Sequence, residues 1–322
     1  MVQPRWRPLD APTRHALGGS ALKPASAFPP PLAGTRRARI VAAYGRRFVA
    51  ETAEATGAGQ RIDCVTRGKR GGVACGDWVD VAPAGDGGVI ERVLERTSLL
   101  YRADAVQEKL IAANVTQALV MVATWPGWDE DLLVRCLVAA EHAGVQVRLL
   151  LNKVDLVERR AGARQALAVF EGACEITELS ALEGAEALRP LLNGHVSVLV
   201  GPSGVGKSSL VNALVSDAGA ATGQVSVALD SGRHTTTHAR LYHLDAHSDL
   251  IDSPGMQVFG MHAVGADALD AQFPEFRPYL DKCRFRDCRH LQEPDCAVRA
   301  AAERGDFSPV RLWHYEAIRA TL

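Results

Sequence analysis

The sequence predicts a multidomain chain: a small closed β-barrel of OB-like form, a doubly wound α/β domain built on a phosphate loop, and a small α-rich tail with a Cys/His cluster. Three observations lead there. Short β-type runs between Gly-rich turns fill residues 37–103, alternating strand and helix patterns run over 104–264, and three cysteines and a histidine crowd into fourteen residues of the 265–322 tail. A length of 322 residues with 47% hydrophobic content suffices for two or three folded units.

Ahead of these units, residues 1–36 are rich in Pro, Ala and Gly without a sustained period, so a disordered tail is expected. Net charge over the whole chain is only −1, which argues against a uniformly basic nucleic-acid binder. The first 50 residues nevertheless hold nine Lys or Arg, from Arg5 to Arg47, against one acid, Asp10. Such a front suits phosphate backbones, although a solvated arm without a partner has the same composition.

The barrel is read from the runs Arg39–Tyr44, Arg61–Val65, Asp77–Val81 and Gly88–Val93, parted by turns such as Arg67–Gly72. This pattern fits an OB-like barrel, which offers a strand face and loops to single-stranded nucleic acid; it fits an SH3-like barrel equally. In the α/β unit, Ala118–Ala123 is continuously apolar, as expected of a parallel strand covered on both faces. An amphipathic helix follows from Asp129 to His142 and stops at Gly144; then come a strand at Val147–Leu151, a helix at Glu158–Phe170 and a strand at His195–Val200.

The strongest motif is Gly201-Pro202-Ser203-Gly204-Val205-Gly206-Lys207-Ser208, a full G-x-x-x-x-G-K-S phosphate loop between an apolar strand and the helix Ser208–Val215. Its backbone N–H groups and the helix amino terminus suit phosphate oxygens, Lys207 would reach the β- and γ-phosphates, and Ser208 would ligate Mg²⁺. Asn152-Lys153-Val154-Asp155 follows the strand ending at Leu151, where α/β sheets bind ligands. A carboxylate at Asp155 accepts hydrogen bonds only, which matches the N1–H and exocyclic amine of guanine. Ser180-Ala181 resembles the base-side loop of GTPases. Asp252-Ser253-Pro254-Gly255 has the D-x-P-G form of the γ-phosphate sensor, Asp252 for Mg²⁺ and Gly255 for the phosphate. Between them, Gly232-Arg233-His234-Thr235-Thr236-Thr237 looks like a first switch, with Thr236 favoured over Thr235 as the Mg²⁺ ligand.

The order of these motifs is anomalous. In Ras-like GTPases the phosphate loop precedes the base-recognition motif, whereas here Asn152–Asp155 precedes Gly201–Ser208. A sheet whose original termini lie close together can be cut and rejoined without moving the site, so the α/β unit is expected to be a circularly permuted P-loop GTPase domain. Met256 stands where Ras-type enzymes carry the glutamine that orients water, which implies slow intrinsic turnover and stimulation by a partner. His234 is the candidate replacement, so Lys207 and His234 are the candidate catalytic residues.

In the tail, Cys283, Cys288, His290 and Cys296 form a Cys3His set with no spare carboxylate, the donor set of a closed structural zinc site. Lys282, Arg284, Arg286 and Arg289 surround it, which suggests that this loop faces phosphate. The other cysteines, Cys64, Cys75, Cys136 and Cys174, are scattered singly and read as ordinary buried thiols. No run of about 18 apolar residues or signal-like amino terminus occurs, so a soluble, cytoplasmic protein without a membrane partner is expected.

Barrel, permuted GTPase unit and Cys-x4-Cys-x-His-x5-Cys tail together resemble the ribosome small subunit-dependent GTPase A family (RsgA, also called YjeQ or YloQ), over roughly residues 37–300. Asn114-Val115-Thr116-Gln117, Asn152–Asp155, Gly201–Leu210, Arg233–Thr237, Asp252–Gly255 and Glu293-Pro294-Asp295-Cys296 carry the resemblance. It implies GTP and GDP contacts that include Ser209, one structural zinc and Mg²⁺ with the nucleotide. It also implies a bacterial factor, expected to be monomeric, that binds the small ribosomal subunit and its rRNA late in maturation and hydrolyses GTP there.

Overall fold

The computed structural model describes residues 28–53, 59–67, 72–103, 108–222, 238–253, 261 and 264–322. Strands β1 (Arg36–Tyr44), β2 (Arg47–Thr52), β3 (Arg61–Thr66), β4 (Trp78–Ala84) and β5 (Gly87–Val93) run β1-β2-β3-β5-β4, and β4 pairs back to β1. That pairing closes a five-stranded barrel around Ala38, Ile40, Phe48, Ala50, Cys64, Val79, Val81 and Ile90. A bulge in β1 between Ile40 and Ala42 bends the strand, so its first half pairs with β4 and its second half is available to another sheet.

Charge inside the barrel is paired. Buried Asp80 accepts from Arg37 Nε at 3.0 Å and Arg92 Nε at 2.8 Å, and buried Asp77 accepts from Arg96 Nε at 2.7 Å. Burial raises the Asp77 carboxyl, and Arg96 opposes that rise. Part of the cationic front is therefore turned inward, while Arg46 and Arg47 at the β1–β2 turn are exposed.

A hairpin of β6 (Leu99–Ala103) and β7 (Glu108–Ala113) leads out of the barrel and straddles the position 103/104 at which the α/β unit is expected to begin. Next come β8 (Gln117–Ala123), α1 (Glu130–His142), β9 (Gln146–Asn152), α2 (Val157–Leu167), β10 (Glu175–Glu178), α3 (Arg189–Leu192), β11 (Val196–Val200), α4 (Lys207–Thr222), β12 (Ala239–His243) and β13 (Asp249–Asp252). Their order is β10-β9-β8-β11-β13-β12, parallel except for β12. All seven residues of β8 and all five of β11 are buried, because helices cover both faces. On one face pack Leu133, Val134, Leu137 and Val138 of α1, and on the other Leu210, Val211 and Leu214 of α4. Asp129 caps α1 by accepting from Leu132 N at 3.1 Å, an interaction that contributes about 1 kcal/mol.

Strand β12 also pairs antiparallel with β1, so among the described residues the sheet runs on into the barrel as one eleven-stranded surface. In the tail, short 3-10 turns precede α5 (Ala297–Arg304) and α6 (Pro309–Arg319). Its aromatic centre, Phe273, Phe276 and Tyr315, joins the core under α1, and Arg277 donates to Glu141 at 2.6 Å. Arg311 is buried over Phe170 and Phe273 and pairs with Glu275 at 2.5 Å.

Candidate nucleotide-binding site and metal cluster

Strands β11, β13 and β9 all end at one edge of the sheet, and the motifs sit on those ends. Gly201–Gly206 turns from β11 into α4, with Lys207 as the first helical residue. Gly206 has φ 101°, and a Cβ there would lie 2.4 Å from Asn152 Nδ2, so the phosphate loop can sit against the base-recognition turn only with glycine at this position. Lys207 Nζ donates to Gly201 O at 2.7 Å and Pro202 O at 2.8 Å. An ammonium has three protons, and these two carbonyls take two of them. Burial lowers the Lys207 pKa, and the charge of buried Asp252, at the end of β13, opposes that fall.

Asn152 is buried and joins three loops. Its Nδ2 donates to Val205 O at 2.7 Å, its Oδ1 accepts from Ala181 N at 2.9 Å, and its backbone carbonyl accepts from Thr124 N at 3.0 Å. The adjacent Lys153 adopts a left-handed backbone, φ 61°, and Nζ reaches Gly204 O at 2.7 Å and Trp125 O at 2.8 Å. Exposed Asp155 accepts from Ser180 Oγ at 2.7 Å through Oδ1, so Oδ2 remains able to accept from other donors. Ser203, Ser208 and Ser209 are exposed along the loop, whereas Pro202 is half-buried and Val205 fully buried. Ser253 is buried and donates to Leu199 O at 3.0 Å, which ties the residue after β13 to the strand before the phosphate loop.

The fold therefore brings Asn152, Lys153, Asp155, Ser180, Ala181, Gly201–Ser209 and Asp252 to one edge. Gly255, His234 and Thr236, together with Thr235 and Met256, lie outside the described residues. Two participants had no motif to announce them. Thr124 donates through Oγ1 to Lys153 O at 2.8 Å, and Trp125, exposed beneath the Arg159 guanidinium at 4.6 Å, receives Lys153. They follow β8, and only the sheet order makes them neighbours of the phosphate loop.

In the tail, one ligand atom from each of Cys283, Cys288, His290 and Cys296 lies within 4.8 Å of all the others. His290 turns Nδ1 toward Cys296 Sγ at 3.3 Å and Cys283 Sγ at 3.6 Å, while Nε2 faces Asp270 Oδ2 at 3.5 Å. A ring nitrogen aimed at two thiols, with a carboxylate behind the ring, is the arrangement of a histidine that ligates a metal. Burial works against the Asp270 carboxylate, but the hydrogen bond with His290 brings its pKa below the usual value. Glu293 shapes the loop by accepting from Arg289 N, Leu291 N and Gln292 N at 2.8–3.1 Å. The donor set and spacing fit zinc.

Comparison with known proteins agrees with this geometry. A model of the RsgA GTPase family matches residues 93–262. The small ribosomal subunit biogenesis GTPase RsgA of Nitrosospira multiformis is 48% identical over 295 residues, 91% of this chain and 92% of that one. The protein of the same name from Nitrosomonas europaea is 49% identical over 282 residues, 86% and 88% of the two chains. Among solved structures, YjeQ from Thermotoga maritima superposes with a TM-score of 0.68 at 29% identity, over 89% of this chain and 98% of that one. YloQ, described as a circularly permuted GTPase, shares the fold with a TM-score of 0.65 at 24% identity, over 89% and 94%. The chain therefore belongs to the RsgA GTPase family and is a GTP hydrolase with a circularly permuted α/β domain.

Proposed function

We propose that this GTPase binds the small ribosomal subunit, contacts its rRNA, and hydrolyses GTP there during late subunit maturation, with turnover stimulated by the subunit. The single observation that carries this reading is the pair of 48–49% identical relatives, covered over about nine-tenths of their length, that are named small ribosomal subunit biogenesis GTPases. The exposed basic groups at both ends of the chain, Arg46 and Arg47 on the barrel and Lys282, Arg284, Arg286 and Arg289 around the metal cluster, suit an RNA surface. No helix among the described residues is long and apolar enough to cross a membrane. We take the working form as a cytoplasmic monomer divided at 1–36, 37–103, 104–264 and 265–322.

In this reading guanine is held by Asp155 through its free carboxylate oxygen, with Ser180 and Ala181 on the base side. Asn152 and Lys153 keep that pocket against the phosphate loop. Gly201, Ser203, Gly204, Val205, Gly206, Ser208 and Ser209 present backbone and hydroxyl donors to the phosphates, Pro202 shapes the loop and accepts from Lys207 through its carbonyl, and Lys207 stabilises charge developing on the transferred group. Ser208, Asp252 and Thr236 would hold Mg²⁺, which neutralises phosphate charge when bound. Gly255 would contact the γ-phosphate, and His234 would orient water. Cys283, Cys288, His290 and Cys296 would hold one structural zinc.

Two measurements test the assignment: sedimentation with purified small subunits in a non-hydrolysable GTP analogue, and GTP turnover with and without them. Co-sedimentation with turnover raised by an order of magnitude or more is expected. A chain that neither sediments with subunits nor responds to them acts elsewhere.

A further inference from the structure

Strand β13, which ends in Asp252, is four residues long, and its side chains alternate between two neighbours. Leu250 packs with Val205 and Leu210 beneath the phosphate loop, and the Asp252 charge acts on Lys207. Asp249 and Ile251 face the other way, toward the barrel. Each part of the strand is tied to that barrel.

At the start of β13, Arg39 of β1 donates to Asp249 Oδ2 at 2.5 Å, with both side chains about nine-tenths buried. The second oxygen, Oδ1, lies 2.6 Å from His243 Nδ1, and His243 Nε2 lies 3.0 Å from Glu51 of β2, which also receives Arg61 at 3.2 Å. In the middle, Gly76 of the barrel, φ 91°, sits so close that a Cβ would be 2.2 Å from Ala113 O and 3.2 Å from Ile251 Cδ1. At the end, one row of registered residues crosses from barrel to phosphate-loop strand: Ala42 of β1 pairs with Arg240 of β12, Arg240 with Asp252, and Asp252 with Leu199 of β11. Two strand spacings, roughly 10 Å, separate β1 from Asp252.

We propose that the barrel is a working part of the magnesium site, with Arg39, Asp249 and His243 as positioning residues that hold β13, and through it Asp252, in register with the phosphate loop. The proposal rests on reading Asp252 as the magnesium carboxylate. A four-residue strand has few backbone bonds of its own, so a buried charge pair at its root has leverage. Removing Arg39 leaves the buried Asp249 with only its His243 contact, so part of its charge is uncompensated inside the protein, and the strand shifts to relieve it. A force on the β1–β2 turn, where Arg46 and Arg47 are exposed, reaches Asp252 through the same paired strands.

The test uses the full chain and follows GTP turnover as Mg²⁺ is titrated, alongside GDP affinity measured in EDTA. Arg39→Met should raise the Mg²⁺ needed for half-maximal turnover about fivefold or more, leave the EDTA affinity unchanged, and be largely rescued by Arg39→Lys. Asp252→Asn is the reference. If it leaves the Mg²⁺ requirement unchanged, the magnesium assignment fails; if it shifts the requirement and Arg39→Met does not, the coupling is overturned and the assignment stands. Should Arg39→Met fail to fold, Glu51→Gln takes its place with the same two outcomes, since it withdraws one of the two carboxylates that fix His243.

Discussion

Asn152 uses both ends of its side chain inside the protein, so it acts as a bracket between the base loop and the phosphate loop. Asn152→Ala would leave Val205 O and Ala181 N without those partners, at a cost of about 1–3 kcal/mol for each buried group. A lower melting temperature and a loss of GDP affinity together are the expected result, and a variant with unchanged GDP affinity would show that the two loops need no bracket. Asp155 is different, because only one oxygen is committed, to Ser180. Asp155→Asn should move preference from guanosine toward xanthosine nucleotides, since the amide can donate to the additional carbonyl of xanthine; competition with the two diphosphates reads this directly. The four-residue motif was legible in the sequence, because it is contiguous with the strand that ends in it. The hydrogen-bond partners of Asn152 were less so: Val205 and Ala181 lie 53 and 29 positions away in the chain.

Among the elements, those with strong local periodicity were legible and those defined by distant pairing were not. Strand β8, the helix from Asp129 and the strand before the phosphate loop stand out because their apolar residues are consecutive or helically spaced. Strand β2 was missed, since Arg47 and Glu51 dilute the apolar positions Phe48 and Ala50, as was the β6–β7 hairpin. The letters of Asn114-Val115-Thr116-Gln117 were recognisable, but their work is tertiary. Asn114 donates to Gly76 O at 3.1 Å and receives Thr97 N at 2.9 Å, while Gln117 donates to Leu191 O and Ser197 Oγ, each at 2.8 Å. Asp270, behind His290, is thirteen positions before Cys283, and no spacing marks it. The β12–β13 hairpin carries a pH prediction. Hydrogen bonds to Asp249, then Glu51, raise His243 from its ordinary value to about 9. A raised pKa means this contribution to stability is complete below about 6.5 and is lost as pH climbs through about 9. The difference in urea midpoint between wild type and His243→Gln should therefore shrink between pH 6 and 9.5; a constant difference would mean that the histidine contributes by packing alone. For the metal cluster, elemental analysis should find one zinc per chain, and Cys288→Ser should lose it. Because Phe273, Phe276 and Tyr315 belong to the core under α1, the loss should loosen the 283–296 loop toward protease and spare GDP affinity. A metal-free native protein would remove the site.

At the scale of the whole molecule, the permuted order decides what is wired to what. Cutting the GTPase unit ahead of β8 puts the barrel before it, and the D-x-P-G motif is then followed directly in the sequence by the tail with the Cys/His cluster. Both flanking units carry exposed cations and both pack on the α/β unit, the barrel through β1–β12 and the tail through Arg277–Glu141 and the core under α1. An RNA surface that engaged both would clamp the GTPase unit from two sides. On the reading that Met256 stands where a glutamine would orient water, the isolated enzyme would be short of one catalytic group, and clamping is where that group would be brought into line. His234, in the segment between α4 and β12, is the candidate. On this argument His234→Ala should bind GTP and small subunits normally and lose most of the stimulated kcat, while its slow unstimulated rate changes little. Stimulation in the wild type should also weaken as salt rises, because each phosphate contact releases counterions, and the slope of log affinity against log salt counts those contacts. Full stimulated turnover in His234→Ala would assign the positioning of water to backbone or to the ribosome. A salt-independent stimulation would move the docking surface away from the arginines of the barrel and the metal loop.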